Sequence, residues 1–199
     1  MPDPLKSSTS SLELRTDKVV RWIERNLGGR VTQIEPQARW RPVWFAEVDR
    51  GGERLELCVR GDRLDCLHGF PLEHEMTLQR LLYEAGIPVA RVYGWCDDPR
   101  AYVMDRVRGV EHFNACDDAE RDAVMRQYME ILVDIHRLDV EPFADAGILR
   151  AASPRESGQL GLRIYENAYR AAKSGPTPFS SSAWAGAGAI RRAARPARA

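Results

Sequence analysis

The chain has 199 residues, of which 44% are hydrophobic and 29% charged, a balance typical of a soluble globular protein with one domain or two small lobes. Lys plus Arg and Asp plus Glu number 29 each, so the net charge favours neither a nucleic-acid nor a membrane-surface partner. No apolar run approaches the ~20 residues of a membrane span, and residues 1–15 lack the apolar segment of a secretory signal. These features predict a cytoplasmic protein.

The cysteines and histidines give no sign of a metal site. Cys58, Cys66, Cys96 and Cys116 show no C-x-x-C spacing, and the four histidines form no H-E-x-x-H motif. We therefore expect thiols in a reducing compartment and predict no metal ligand from this sequence.

The first 60 residues predict one helix and three strands. Residues 1–15, rich in Pro and Ser, are predicted to be a disordered leader. "TDKVVRWIERNLGG" predicts an amphipathic helix that Thr16 or Asp17 caps and that Gly28-Gly29 ends. Its apolar face comprises Val19, Val20, Ile23 and Leu27. "RVTQIEP", "PVWFAEVD" and "RLELCVR" predict strands, and "RGG" between the last two predicts a hairpin turn.

The following segments add a helix and two more strands. "FPLEHEMTLQRLLYEAGIP" predicts a helix that ends at Gly86. "VARVYGWC" and "AYVMDRVRG" predict strands joined by the turn "DDPR". The fold class predicted is therefore α+β, with a five-stranded antiparallel sheet and flanking helices over residues 16–107.

Residues 108–174 predict a second, helical region. "DDAERDAVMRQYMEILVDIHRLD" predicts a long helix in which Asp117 and Glu120 resemble a capping box. A further helix begins at Ser153, which with Glu156 also has the form of a capping box. Residues 175–199 have a different composition, and no Asp or Glu follows Glu166. We predict that this tail is disordered.

The order of these elements and four short motifs resemble the aminoglycoside phosphotransferase family, which has a kinase-like fold. The motifs are "LCVRG" at the third strand, "PLEHEMTLQRLL" in the next helix, "AYVMDRVRG" at the lobe junction and "YMEILVDIHRLD" in the first large-lobe helix. The resemblance covers roughly residues 16–170. It implies a kinase-like small lobe over 16–107 and an incomplete helical large lobe over 108–174.

The family resemblance implies an ATP-dependent kinase that uses Mg²⁺ and phosphorylates a hydroxyl group of a small molecule. It implies that Arg60 and Glu75 form an ion pair near the phosphates of the nucleotide. It also implies that the backbone of Met104, Asp105 and Val107 contacts the adenine. The family generally has Lys where this chain has Arg60, and the two are not interchangeable. The residues alone leave open that Arg60 is an exposed strand-end charge and Glu75 an ordinary first-turn acid.

The segment between the first two strands departs from the family. The family has a glycine-rich loop there, whereas "EPQARWRPVWF" contains no glycine. Arg39 and Arg41 are candidates to contact phosphate with their side chains instead. Trp40 and Trp44 are expected to have core or surface roles. His136 matches the family's "LH" position, but we expect it to be a packing residue without a chemical role.

A second departure concerns catalysis. The family uses a loop close to His-Gly-Asp and a later Asp that holds Mg²⁺. No "HGD" occurs in this sequence and no Asp follows Asp145, so we predict no catalytic residue and no phosphoryl transfer by the chain as written. One explanation is a reading frame lost after residues 173–179, and another is a natural basic tail. The alternative function is a non-catalytic nucleotide-binding or scaffold module.

Overall fold

The computed structural model describes residues 4–37, 39–63, 70–109 and 116–173. The fold is α+β, as predicted, and has a kinase-like small lobe with helices after it. In chain order, the elements of the described residues are α1 (Pro4–Leu27), β1 (Arg30–Gln37), β2 (Val43–Asp49), β3 (Arg54–Gly61), α2 (Leu72–Glu84), β4 (Val92–Asp97), β5 (Arg100–Asp105), α3 (Asp118–Arg137), α4 (Glu141–Asp145) and α5 (Pro154–Ala172).

The five strands form one antiparallel sheet in the order β1-β2-β3-β5-β4. The predicted hairpin between β2 and β3 is confirmed. Gly51 and Gly52 there have φ of 71° and 101°, a region that glycine enters without the steric penalty of a side chain. The helix α2 lies between β3 and β4 in the chain and packs near β4 and β5.

One face of the sheet forms the hydrophobic core with α1. Alternate residues of a strand point to opposite faces, so every second residue of β2, β3 and β5 contributes to this core. The buried residues of this cluster are Val19, Ile23, Trp44, Ala46, Val48, Leu57, Val59, Cys96, Ala101 and Val103. The predicted apolar face of α1 is thus confirmed at Val19 and Ile23, and Leu27 packs against the same cluster.

The start of α1 differs from the prediction. The helix begins at Pro4, so Thr16 and Asp17 lie inside it and do not cap it. The Thr16 hydroxyl instead accepts a hydrogen bond of 2.8 Å from the indole Nε1 of Trp44. The Pro and Ser content that predicted a leader over 1–15 does not prevent helix formation from Pro4 onward.

The opposite face of the sheet carries polar and larger side chains. The register pairs Phe45 with Cys58 and Cys58 with Met104, and directly paired residues lie on the same face. In the next row, Arg60 pairs with Tyr102. This second face is the one that α2 approaches through Glu75 and Gln79.

The helices after the sheet begin as predicted, with a difference in their caps. Asp117 and Glu120 form both reciprocal bonds of a capping box. Ser153 accepts from the N–H of Glu156, but the Glu156 carboxylate accepts from the N–H of Ala152, one residue before the cap. The second box is therefore only half formed.

The described residues fall into two compact units. One contains the sheet and extends through Leu149, and the other contains α5. The predicted lobe boundary at residues 107–108 stays a prediction. The predicted tail over 175–199 lies outside the described residues, as does Cys66. Among the described residues, every helix is too short or too polar to span a lipid bilayer.

Gly61, at the end of β3, lies against the ring of Trp44. A Cβ atom added at Gly61 would lie 2.7 Å from Cζ3 of Trp44 and 2.9 Å from Cγ of Pro42. The Trp44 side chain is fully buried, so it has no solvent space into which to move. The absence of a side chain at Gly61 therefore leaves room for the indole of Trp44 and the ring of Pro42.

We predict that Gly61→Ala lowers the free energy of unfolding by about 1–3 kcal/mol, because the added methyl group overpacks a closed core. Urea denaturation followed by tryptophan fluorescence measures this change. Gly109→Ala is the matched control, since a Cβ there meets no atom within 4 Å, and it should change stability by no more than about 0.5 kcal/mol. Equal effects of the two substitutions would contradict the packing argument.

Candidate functional site

A cavity of about 550 Å³ lies between α2 and the second face of the sheet. Four of the five residues predicted to bind the cofactor line it: Arg60, Glu75, Met104 and Val107. Leucine side chains of α2 supply much of the remaining wall. A mostly apolar cavity with a few convergent polar groups is the usual form of a small-molecule site.

Arg60 and Glu75 form an ion pair at the edge of this cavity. Arg60 stands at the end of β3, and Glu75 stands in the first turn of α2. The Nε of Arg60 donates to Oε2 of Glu75 at 3.0 Å. The two Nη atoms of Arg60 have no hydrogen-bond partner within the described part of the chain, and 36% of its side chain is exposed. One edge of the guanidinium is thus held while the other remains available to an anion.

Arg41 contributes a second cation to Glu75, which the sequence did not predict. Its Nη2 lies 3.1 Å from Oε1 of Glu75, and its Nη1 lies 2.8 Å from Oδ1 of Asp62. Only 6% of Arg41 is exposed. The candidate role of Arg41 as a phosphate contact is therefore wrong for this structure, because both ends of its guanidinium are engaged by buried or partly buried carboxylates. Arg39 is exposed, and its Nε donates to Oε1 of Gln37 at 2.9 Å.

Gln79 fixes the wall of the cavity between α2 and the sheet. Its Nε2 donates to the C=O of Ala90 at 2.7 Å and to Sδ of Met104 at 3.3 Å. Its Oε1 accepts from the hydroxyl of Tyr102 at 3.2 Å. Burial raises the pKa of Tyr102 to about 12, so this hydroxyl remains a donor at neutral pH. The amide thus ties α2 to β5 and to the chain before β4.

The predicted contacts to adenine fall into two groups. Met104 and Val107 line the cavity, and the N–H of Val107 has no partner among the described residues. Asp105 is different, because its N–H donates to the C=O of Arg91 and its carboxylate accepts from the hydroxyl of Tyr93 at 2.7 Å. Burial and this hydrogen bond raise the pKa of Tyr93 to about 12. The Asp105 side chain lies on the α1 face, opposite the cavity face, since Asp105 pairs with Leu57.

The remaining predicted residues have structural or surface positions. Trp44 is in the core, and Trp40 is 63% exposed with the guanidinium of Arg63 above its ring. Both agree with the roles expected from the sequence. His136 is exposed in the last turn of α3, so it is not the packing residue that was expected.

A second cavity, of about 470 Å³, lies beside α1 and the turn between β4 and β5. It contains none of the predicted site residues. Two of its charged groups neutralise each other, since Nζ of Lys18 lies 2.6 Å from Oδ2 of Asp98. The cavity at Arg60 is therefore the better candidate for a functional site.

The sequence profile of the phosphotransferase enzyme family matches residues 35–179, which include the end of β1, strands β2 to β5, α2 and the described helices that follow. The chain belongs to this family. No curated protein and no solved structure matches the chain.

Phosphotransferases of this family generally use ATP and a divalent metal and act on small molecules. Within residues 4–37, 39–63, 70–109 and 116–173, no three His, Cys, Asp or Glu side chains are grouped to hold a metal ion. These residues alone therefore supply no complete set of protein ligands for the metal. They do fit a nucleotide, because the cavity combines apolar walls with an available guanidinium edge.

The sequence analysis did not identify Asp62 and Gln79, nor the two carboxylate partners of Arg41. The partners of Arg41 lie 21 and 34 positions away in the chain, and those of Gln79 lie 11 to 25 positions away. Contacts at such separations are not visible in the local spacing of residues. The one available signal was the Asp two residues after Arg60, at the end of a strand. A buried carboxylate there requires a cation, and Arg41 is such a cation.

Cys58 lies on the cavity face of the sheet, between Phe45 and Met104. Burial raises the pKa of its thiol, although the guanidinium groups of Arg60, Arg106 and Arg39 oppose this effect. Because the thiolate is the reactive form, a raised pKa and burial both slow its modification.

We predict that Cys58 reacts with iodoacetamide more slowly in the folded chain than in the same chain in urea, with the difference in rate smallest at high pH. Mass spectrometry of the peptide that contains Cys58 measures both rates. The denatured chain serves as its own control for intrinsic reactivity. Equal rates in the two states would show that the fold neither buries the Cys58 thiol nor raises its pKa.

Proposed function

We propose that the chain binds ATP in the cavity beside Arg60 and Glu75. The observation that carries the proposal is the ion pair of 3.0 Å at the cavity edge, which leaves the Nη atoms of Arg60 free of partners among the described residues. A guanidinium binds phosphate oxygens through two parallel N–H groups. Arg60 thus takes the place that Lys has in the family, with a fork in place of a point charge.

The base of the nucleotide would occupy the apolar part of the cavity. Met104 and Leu78 offer apolar surface, and the N–H of Val107 is a donor at the rim. The family match supports ATP as the nucleotide, and it supports a small-molecule hydroxyl compound as the acceptor at the level of the whole family. The role of Asp105 as an adenine contact is reduced to its C=O, because its N–H is engaged by Arg91.

We infer that the 199 residues bind nucleotide without transferring its phosphoryl group. Phosphoryl transfer requires a carboxylate to orient the acceptor and carboxylates to hold Mg²⁺. The sequence has no His-Gly-Asp, and the described residues provide no metal-binding group. The chain's own contribution is therefore to hold and orient the phosphates at Arg60.

This makes the chain a non-catalytic nucleotide-binding module, a function that the absence of "HGD" from the sequence favours. It differs from an active phosphotransferase in the effect of Mg²⁺ on nucleotide affinity. ATP binding that does not depend on Mg²⁺ supports the module. The free thiols of Cys58, Cys96 and Cys116 support a reducing compartment such as the cytoplasm for either function.

We predict that Arg60→Met raises the Kd for ATP by about 10- to 100-fold, because a hydrogen bond to a charged group contributes about 1.5–3 kcal/mol. The Kd for adenosine should be unchanged, since adenosine has no phosphate. Isothermal titration calorimetry with each ligand, with and without Mg²⁺, measures the four affinities.

Arg54→Met is the matched control for this experiment. Arg54 lies on the same face of the same strand, about 20 Å from Arg60 at the usual rise per residue, and it pairs with Glu47 at 2.6 Å. Exposed charges at that distance are largely screened, so the ATP affinity should not change. An equal loss in both variants, or no ATP binding by the wild-type chain, contradicts the proposed site.

We also predict that the purified chain forms no ADP from ATP and Mg²⁺ above the rate of the buffer alone. A coupled assay for ADP measures this, and the saturating ATP concentration comes from the calorimetry. The control is a preparation of Arg60→Met, which reports contaminating ATPase activity. Formation of ADP by the wild-type chain alone would overturn the inference that phosphoryl transfer is absent.

A further inference from the structure

Glu75 has both carboxylate oxygens engaged by arginines from different parts of the chain. Oε2 accepts from Arg60 at 3.0 Å, and Oε1 lies 3.1 Å from Nη2 of Arg41. The two arginines differ in exposure, since the side chain of Arg41 is 5% exposed and that of Arg60 is 36% exposed. Glu75 therefore has one inner partner and one outer partner.

The inner partner is itself anchored. Nη1 of Arg41 binds Oδ1 of Asp62 at 2.8 Å. The other carboxylate oxygen of Asp62 accepts a hydrogen bond of 3.2 Å from Nε of Arg100. The backbone C=O of Asp62 accepts a hydrogen bond of 3.1 Å from the side chain of Arg15 in α1. A buried guanidinium between two carboxylates has little freedom to leave, because breaking either bond would leave a poorly solvated charge.

We propose that Arg41 is a positioning residue for the phosphate site, and this inference rests on the proposed binding of ATP at Arg60. Arg41 gives Glu75 a permanent cationic partner. When a phosphate binds Arg60 in place of Glu75, the Glu75 carboxylate therefore still has Arg41 as its cationic partner. The outer arginine can turn toward the ligand while the inner one holds Glu75, and with it the first turn of α2, in place.

The same bonds tether the chain between β1 and β2. Arg41 belongs to that connection, and the C=O of the following Pro42 accepts from the N–H of Gly61 at 2.8 Å. The connection has no glycine, and its residues Arg41 and Pro42 bind Asp62 and Gly61 at the end of β3. Arg41 therefore gives Glu75 a fixed support.

The test compares Arg41→Lys with the wild-type chain. Lysine keeps the positive charge but has a single ammonium group, which does not span two carboxylates as a guanidinium does. We expect the Kd for ATP to rise about tenfold or more and the Kd for adenosine to stay within about twofold. The control is Arg54→Lys, which makes the same change of residue type on the exposed part of β3. It should change the Kd for neither ATP nor adenosine.

Each outcome bears on the inference. Unchanged ATP affinity in Arg41→Lys overturns the positioning role alone, whereas equal loss for ATP and adenosine overturns it in favour of a purely structural role. Absence of ATP binding by the wild-type chain overturns the proposed function and this inference with it.

A measurement on the wild-type chain decides the question if Arg41→Lys does not fold. In ¹H–¹⁵N spectra of arginine side chains, the guanidinium signals of Arg41 should be protected from solvent exchange both without and with ADP. Those of Arg60 should change on addition of ADP. Loss of the Arg41 protection on ADP binding would overturn the proposal, because Arg41 would then not be the fixed partner.

Discussion

The pairing of one carboxylate, Glu75, with two arginines is the constraint on which the candidate site depends. It joins the end of β3, the first turn of α2 and the chain between β1 and β2 at one point. Arg60 alone would not fix that point, because an ion pair that is one third exposed is weakened by solvent. The buried Arg41 makes the arrangement rigid, and its link to Asp62 extends it to α1 and β5.

The hydrophobic core explains why these charged groups meet where they do. Packing of α1 on one face of the sheet leaves the other face for polar side chains, and the alternation of β3 directs Arg60 to that second face. Gly61 and Trp44 then set the end of β3 by close contact. The position of the site thus follows from the packing of residues that do not line the cavity.

The sheet and most helices were predictable because their signals are local. Alternating apolar residues identified β1 and β3, and β-branched and aromatic residues identified β2. The capping residues Asp117 and Ser153 identified the starts of α3 and α5. The start of α1 was not predictable from composition, and the five-residue α4 is too short to have a period. The Arg60–Glu75 pair was predicted from the resemblance to the family. The buried position of Arg41 depends on Asp62, 21 positions away, and the spacing of residues in the sequence does not show that contact.

The helix α3 has no buried residue among those described, whereas the sheet and α1 together hold the core cluster. Stability is not uniform in such a chain, since segments with few buried contacts open with a smaller free energy than the core does. Backbone amides of α3 would then exchange with deuterium through local opening, and those of β3 only through global unfolding. The site at Arg60 would therefore belong to the part of the molecule that exchanges most slowly.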